Sequence, residues 1–322
     1  MNKPLISVIV PTYRREEVLR DTLTDVLAQN YPNFEVLVVD QTPEHEPETD
    51  IFLQQLADSK KIQWFRLKWA SLPGARNYAV RRSLGEIIVF IDDDVRLTAD
   101  FLAAHECHYQ NPKVGAVAGR VFDRMKLSDS GGDLTIDYLP PEAMDAGIAW
   151  YYIDLVHTIK PQQVISARGC NMSFRGEVFR QYKLTFDERF KGSAVREESD
   201  FCLRFRQTGY QIWYDPDAYL IHLGEEAGGC HDISTRSAEY QIFLYHNHFL
   251  MGFKNLTFFQ ALRFFYRLFD CQVLGHPPCN KSGSIFKTIV RLSFYFLGFI
   301  SAVGTLFRSL WDDGQIYSRQ DF

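Results

Sequence analysis

The stretch "LISVIVPTYRREEVLRDTLTDVLAQNYPNFEVLVVD", residues 5–40, places one helical pattern between two apolar runs. Residues 5–10 are continuously apolar and rich in β-branched side chains, as in a strand buried on both faces. Pro11-Thr12-Tyr13 stops the run. Val18, Leu19, Leu23, Val26 and Leu27 then recur at helical spacing, with acids in the first turn. Residues 34–40 read as a second buried strand that ends in Asp40. The alternation continues with a helix over 51–58, a strand over 62–67, and a helix over 74–84 with Gly85 just past its end. A strand over 86–92, a helix over 99–110 and a strand over 114–122 follow. This order predicts an α/β fold: a doubly wound, mostly parallel sheet flanked by helices.

In such sheets ligands bind beyond the carboxyl ends of the strands. Thr12, Asp40 and the three aspartates of "VFIDDDVRL" (89–97) stand at those ends. Asp92, Asp93 and Asp94 repel one another, and desolvating even one without a partner is costly. One reading is a polar turn, where Asp is common. The other is a hard cation held by oxygen ligands. The convergence of three polar clusters on one crevice favours a ligand site.

With 322 residues the chain can form a large α/β domain with an appendage. An apolar fraction of 46% and a charged fraction of 23% describe a chain that fills a core. A net charge of −5 offers no basic field for nucleic acid, so no nucleic-acid partner is expected. Six cysteines without a CxxC pair form neither a disulfide framework nor a zinc module, and most are expected to be buried free thiols. Cys230-His231, with His222 upstream, matches no standard zinc spacing. The N-terminal apolar run is too short for a signal peptide, which sets a cytoplasmic, reducing location as the expectation.

From about 123 to 165 the pattern breaks into Gly-Gly, Pro-Pro and other turn formers, which predicts a long loop over the crevice. Residues 164–182 read as strand, turn and helix. Residues 196–210 form a helix that opens with acids, and a strand-like segment ends at His222. The character changes from about 236, so the expected division is 1–235 for the catalytic domain and 236–322 for a helical extension. Residues 258–269 are aromatic and cationic, and 292–307 form a sixteen-residue apolar run between Arg291 and Arg308. A full span needs about 20 residues. Peripheral membrane contact through 258–311 is the first expectation, ahead of a packed core helix or a tilted span.

Four segments in order, "SVIVPTYRREEVLRDTLTDVLAQNYPNFEVLVVD" (7–40), "LPGARNYAVRRSLGEIIVFIDDD" (72–94), "GCNMSFRGEVF" (169–179) and "EESDFCLRFRQTGY" (197–210), resemble the family 2 inverting glycosyltransferases of GT-A fold. The resemblance covers roughly residues 5–225. It implies that Pro11, Thr12, Tyr13 and Arg14 form the first nucleotide-contacting loop. Asp40 matches the aspartate that accepts from the nucleotide base; Gln41-Thr42 follow it where many members have another Asp and Gly-Ser. Arg76 and Asn77 match residues near the base and diphosphate. Asp92-x-Asp94 matches the DxD element, with Asp92 and Asp93 toward the donor and Asp94 and Asp92 toward a metal, Mn²⁺ or Mg²⁺. His222 is a further metal candidate. Glu198, with Glu197 beside it, falls at the catalytic-base position, where the family usually has aspartate. Arg168 and Asn171 are candidates for the acceptor side, and Arg236 for the diphosphate.

The chemistry asks for these residue types. Breaking the bond between a sugar and a nucleoside diphosphate builds negative charge on the leaving group, which a divalent cation stabilises as a Lewis acid. The acceptor hydroxyl has a high pKa, and a carboxylate on the opposite face can take its proton. The expected partners are a nucleotide-diphosphate-sugar donor and a glycan or lipid-linked acceptor, met at the cytoplasmic face of a membrane. Three alternatives compete. A sugar nucleotidyltransferase would want a glycine-rich phosphate loop after the first strand, which "PTYRREE" lacks. A non-catalytic nucleotide-sugar-binding protein would need no base. A membrane scaffold would leave the three aspartates unexplained.

Overall fold

The computed structural model describes residues 3–123, 136–151, 158–230, 237–277, 279, 281 and 283–311. Parts of the expected loop over 123–165 (residues 124–135 and 152–157) lie outside the described residues, as do His231, Arg236 and the proposed boundary at 235. The described strands are β1 (Ile6–Thr12), β2 (Phe34–Asp40), β3 (Gln63–Arg66), β4 (Ile87–Ile91), β5 (Val95–Leu97), β6 (Val114–Asp123), β7 (Gln162–Val164), β8 (Asn171–Arg175) and β9 (Gln211–His222). They form one sheet in the order β3-β2-β1-β4-β8-β6-β9-β5, with β7 paired to β9. The helices are α1 (Glu17–Leu27), α2 (Pro47–Asp58), α3 (Leu72–Val80), α4 (Phe101–Glu106), α5 (Gly176–Gln181), α6 (Glu197–Arg206), α7 (Ala238–Asn255), α8 (Phe258–Leu268) and α9 (Ile285–Trp311).

The first half follows the alternation: β1 pairs in parallel with β2 and β4, and β2 with β3. The second half is mixed. β6 does not join β4 directly, because β8 inserts antiparallel between them. β6 and β9 are parallel. β1 also runs through Pro11 rather than stopping there. Its ladder with β4 ends at Ile9–Phe90, and Thr12 O accepts from Gln41 on the β2 side. The missing N–H of Pro11 therefore faces the side where no partner remains, and no ladder bond is lost.

Two apolar clusters fill the faces of the sheet. One gathers Leu19, Leu23, Val26 and Phe101 with Val8, Val10, Val38 and Val89 of the central strands, and the other gathers Phe90, Phe174, Phe186 and Phe201 on the opposite face. A third cluster joins Trp150, Phe190 and Leu203 to Tyr245, Phe249, Phe264 and Ala302, so α7, α8 and α9 pack onto the same body. Polar contacts fasten α7 as well. Asp200 receives Lys254 at 2.6 Å and Asn255 at 2.7 Å, and Asn247 brackets the backbone of Lys191.

The sixteen-residue run sits inside a longer helix. Residues 285–309 are long and apolar enough to cross a bilayer, and only 11% of the apolar window is buried, so it is not a core helix. Among the cysteines, Cys107, Cys170, Cys202 and Cys230 are free, and Cys170 and Cys202 are buried as expected. Cys271 and Cys279 depart from the expectation: they are paired across an eight-residue separation.

Candidate active site

The strand order brings the acidic turn together with a histidine from far along the chain. β5 follows Asp94 directly and pairs antiparallel with β9, so Val95 stands opposite His222. Leu223 N–H donates to Asp94 O at 2.9 Å and closes the pair. His222 Nε2 then lies 3.3 Å from Asp94 Oδ1 and 3.9 Å from Asp92 Oδ2. Asp92, Asp94 and His222 each offer a ligand atom, and these lie within 4.8 Å of one another. The other ring nitrogen, Nδ1, faces Asp123 at 3.4 Å, and Arg168 grips Asp123 with two bonds of 2.9 Å. Ligating histidines are commonly oriented by a carboxylate behind them, and Asp123 has that position. Burial pulls the His222 imidazole down. Bonds to Asp123 and Asp94 outweigh it and hold the group up at about 11.

The middle aspartate has another task. Asp93 is buried and turned to Arg15, whose Nε lies 3.5 Å from it. Arg15 also reaches Asp94 at 3.2 Å and donates to the carbonyls of Glu225 and Ala227. Burial and the adjoining Asp94 push the Asp93 carboxyl up. Burial also works against ionised Asp94, but His222, Arg15 and the N–H of Glu225 prevail and keep it below the usual carboxylate range. Asp93, expected toward the donor, lies in this structure against Arg15. Thr22, on α1, accepts from Val95 N and donates to Asp93 O, so the helix fixes the shape of the turn.

The nucleotide loop lies beside this turn. Arg14 adopts φ 53°, its N–H donates to Thr42 Oγ1 at 2.8 Å, and its guanidinium stands over the Tyr13 ring at 5.1 Å. Gly228, at φ +73°, packs so closely that a Cβ would strike Arg14 O, and Gly229 N–H donates to Tyr13 O at 2.7 Å. Pro11 and Thr12 are buried at the end of β1, and Tyr13 is half-buried. Asp40 is wholly buried, and three donors hold its carboxylate: Thr42 N–H at 2.8 Å, His45 Nε2 at 3.0 Å and Trp64 Nε1 at 3.0 Å.

Arg76 and Glu197 form an ion pair with both side chains 1% exposed. Arg76 also donates to Gly169 O at 2.9 Å and lies 3.8 Å from Asp92. The Glu197 carboxylate is sealed under that guanidinium. Glu198, one residue on, is half-buried and lines a recess of about 180 Å³ with Trp150, Ser166, Ala167, Arg168, Arg196 and Ser199. Arg76 thus bridges Asp92 and Glu197, the residue before Glu198, which puts the recess beside the acidic turn. Arg196 stands over the Trp150 ring at 5.5 Å.

Asn77, expected near the base and diphosphate, bonds within the protein. Its amide donates to Phe186 O and Glu188 Oε1 and accepts from Phe186 N–H, stapling α3 to the segment before α6. Leaving a buried backbone group unsatisfied costs about 1–3 kcal/mol. Asn77→Ala should therefore lower stability in urea denaturation by about 3 kcal/mol, with donor affinity kept. Unchanged stability with lost donor affinity would restore Asn77 to the donor site. Asn171 is likewise structural, donating to Arg120 O and Ala218 O.

Sequence reasoning missed Arg15, Asp123, Trp150, Arg196 and His45. Only Arg15 had a signal: three adjacent aspartates need a counterion, and "PTYRR" offers two arginines.

The comparisons agree with the fold. The family model described as Glycosyl transferase family 2 matches residues 7–182. The O-antigen biosynthesis protein RfbC of Myxococcus xanthus is 34% identical over 252 residues, 73% of this chain and 18% of that protein. An uncharacterised protein of Sinorhizobium fredii, y4gI, is 27% identical over 249 residues, 74% of this chain and 26% of that protein. The chain thus spans about a quarter of the length of one of these relatives and less than a fifth of the other. WfgD of Escherichia coli, named as a UDP-Glc:α-D-GlcNAc-diphosphoundecaprenol β-1,3-glucosyltransferase, is 33% identical over 95 residues, 29% of this chain and 36% of that protein. Among solved structures, Staphylococcus aureus TarS 1-349 with UDP-GlcNAc is similar at TM-score 0.59 and 17% identity, over 92% of this chain and 81% of that one. The mannosyltransferase PcManGT of Pyrobaculum calidifontis, with GDP-Man and Mn²⁺, is similar at TM-score 0.52 and 16% identity, over 97% and 76%.

Proposed function

The chain belongs to glycosyl transferase family 2, and on that premise we propose that it moves a sugar from a nucleoside-diphosphate donor to a hydroxyl of a glycan, with inversion at the anomeric carbon. The observation that carries the mechanism is the contrast between two adjacent glutamates. Glu197 is sealed by Arg76, while Glu198 opens onto a recess beside the acidic turn. The acceptor hydroxyl oxygen attacks the anomeric carbon from the recess side. The bond to the diphosphate breaks, its electron pair leaves with the nucleotide, and the hydroxyl proton passes to Glu198. Attack opposite to the leaving group inverts the centre.

A divalent cation fits Asp92, Asp94 and His222: two oxygen donors and an oriented imidazole suit Mn²⁺ or Mg²⁺. When bound there it would supply Lewis-acid stabilisation to the departing diphosphate. Asp123 orients the imidazole, Arg15 limits repulsion within the turn, and the loop Pro11–Arg14 borders the donor side. A panel of UDP-, GDP- and dTDP-sugars, assayed for binding and hydrolysis with and without Mn²⁺ or Mg²⁺, tests the reading. Failure to bind any of them would overturn it.

The acceptor we propose is lipid-linked, as the name of WfgD states for that relative, and it is met at the cytoplasmic face of a membrane. Exposed apolar side chains support a lipid-facing surface: Phe258 (73% exposed), Phe259 (75%), Leu262 and Tyr266 on α8, with Phe286, Ile300 and Phe307 on α9. Arg263 and Arg267 flank the α8 stripe, in the pattern of an interfacial helix. Gly298 of α9 sits against Tyr245 and His246 of α7, and α7 is fastened to the catalytic body. A perpendicular span would pull α7 with it, so lying on the surface is favoured. Flotation with anionic vesicles should carry the full chain upward, and a Phe258→Glu, Phe259→Glu variant should remain at the bottom. A full chain that ignores anionic vesicles would overturn membrane contact.

A further inference from the structure

His45 follows β2 by a short turn, and its side chain is fully buried. Nδ1 lies 3.0 Å from Glu16 Oε1, and Nε2 lies 3.0 Å from Asp40 Oδ2. Ionised carboxylates only accept hydrogen bonds. A ring that bonds to a carboxylate at both nitrogens must donate from both, and so is an imidazolium. Glu16 also accepts from Glu46 N–H, which adds a second tie between the same two segments. Glu16 is the residue before α1, two residues past the nucleotide loop Pro11–Arg14. Asp40 closes β2, where the base half of the crevice begins.

We propose that His45 is a positioning residue for the donor nucleotide: as an imidazolium between Glu16 and Asp40 it ties the nucleotide loop to the end of β2. The inference deepens the donor reading above and rests on it. The ring itself does not touch the donor. It keeps the Asp40 carboxylate turned in, beside Trp64 Nε1 and Thr42 N–H, and holds the start of α1 against the turn 41–46. Thr42 in turn receives the Arg14 N–H, so the clamp and the loop share one network.

The surroundings isolate the clamp as a titrating device. Glu16 is the charged partner from α1, Asp40 the one from β2, and Trp64 of β3 is neutral. Arg20 on α1 goes to Thr49 and Glu48, and Arg66 on β3 to Asp50. Burial pulls the imidazole down, but bonds and charges of Asp40 and Glu16 outweigh it and raise the group above its ordinary value. A raised group keeps its contribution at low pH and loses it as pH rises through the folded-state value. Nucleotide affinity should therefore be full near neutrality and decline on the alkaline side.

The test is the dissociation constant of UDP and of GDP by calorimetry from pH 7 to pH 10, with thermal melts at each point. In wild type the better nucleotide should weaken by about tenfold across the range. His45→Gln, which can still donate one bond, should bind weakly already at pH 7 and show a flat profile. Glu16→Gln removes one carboxylate from a partly exposed position. It should weaken affinity at pH 7 less than His45→Gln does and shift the decline to lower pH by about one unit. If both variants bind with the wild-type profile, the inference is overturned while the donor reading stands. If wild type binds neither UDP, GDP nor dTDP at any pH, the donor reading fails and this inference fails with it.

Discussion

Glu198→Gln lowers kcat by about 10²–10⁴-fold and leaves donor affinity close to wild type, the range that general-base catalysis supplies. The amide keeps the size and one acceptor oxygen of the carboxylate but cannot take a proton at neutral pH. The side chain lines the recess with Trp150 and Arg196 rather than the nucleotide loop, so the loss falls on the chemical step. Glu197→Gln behaves differently. It leaves the Arg76 charge buried without its partner, a change that costs about 3–5 kcal/mol when a buried pair is broken. Its signature is a lowered melting temperature. Should Glu197→Gln instead be stable and inactive while Glu198→Gln turns over normally, the two glutamates would exchange roles.

Asp94→Ala lowers turnover by about 10³-fold and removes its response to Mn²⁺ or Mg²⁺, since Lewis-acid stabilisation is worth several kcal/mol and about 1.4 kcal/mol is a factor of ten. The fold survives, because Arg15 retains Asp93 and the carbonyls of Glu225 and Ala227. Asp93→Asn is the control. It weakens the partner of Arg15 without touching the ligand set, so its cost appears in stability and the metal response persists. Wild-type activity of Asp94→Ala with either cation would remove the acidic turn from the mechanism.

The parallel half of the sheet was legible because buried parallel strands write long β-branched runs and crossover helices write a 3.6-residue period. The mixed half was less so. β8 is only five residues long, and nothing local tells "NMSFR" that it will insert antiparallel between β4 and β6. At the site, DxD could be read because three adjacent carboxylates are costly without a partner. His222 was in view as a candidate, but its meeting with Asp94 depends on the β5–β9 pairing, which joins residues far apart in sequence. Asn77 and Glu197 look functional in a string because polar residues in a motif give no sign of which way they turn. Their burial and partners come from the fold, and the variants above test what they do. Trp150 and Arg196 had no signal at all, since an aromatic residue in a turn-rich stretch and an arginine before a helix are common.

The segment that carries Trp150 has one further consequence. Trp150 Nε1 donates to Ala146 O at 2.6 Å, and Asp145 receives Arg263 at 2.7 Å and Gln260 at 3.4 Å. Gly147 lies so near Gln260 that a Cβ would be 3.1 Å from its Cα and O. The wall of the recess is thus clamped to α8, the helix whose outer side is Phe258, Phe259, Leu262 and Tyr266. On the membrane contact proposed above, with that side resting on lipid, the altitude of the recess above the bilayer would be fixed by protein rather than by chance encounter. The recess would then act as a gauge: a tethered saccharide would reach Glu198 only when its reach from the membrane matched that altitude. A shorter or longer chain on the same anchor would be passed over without any sugar being read.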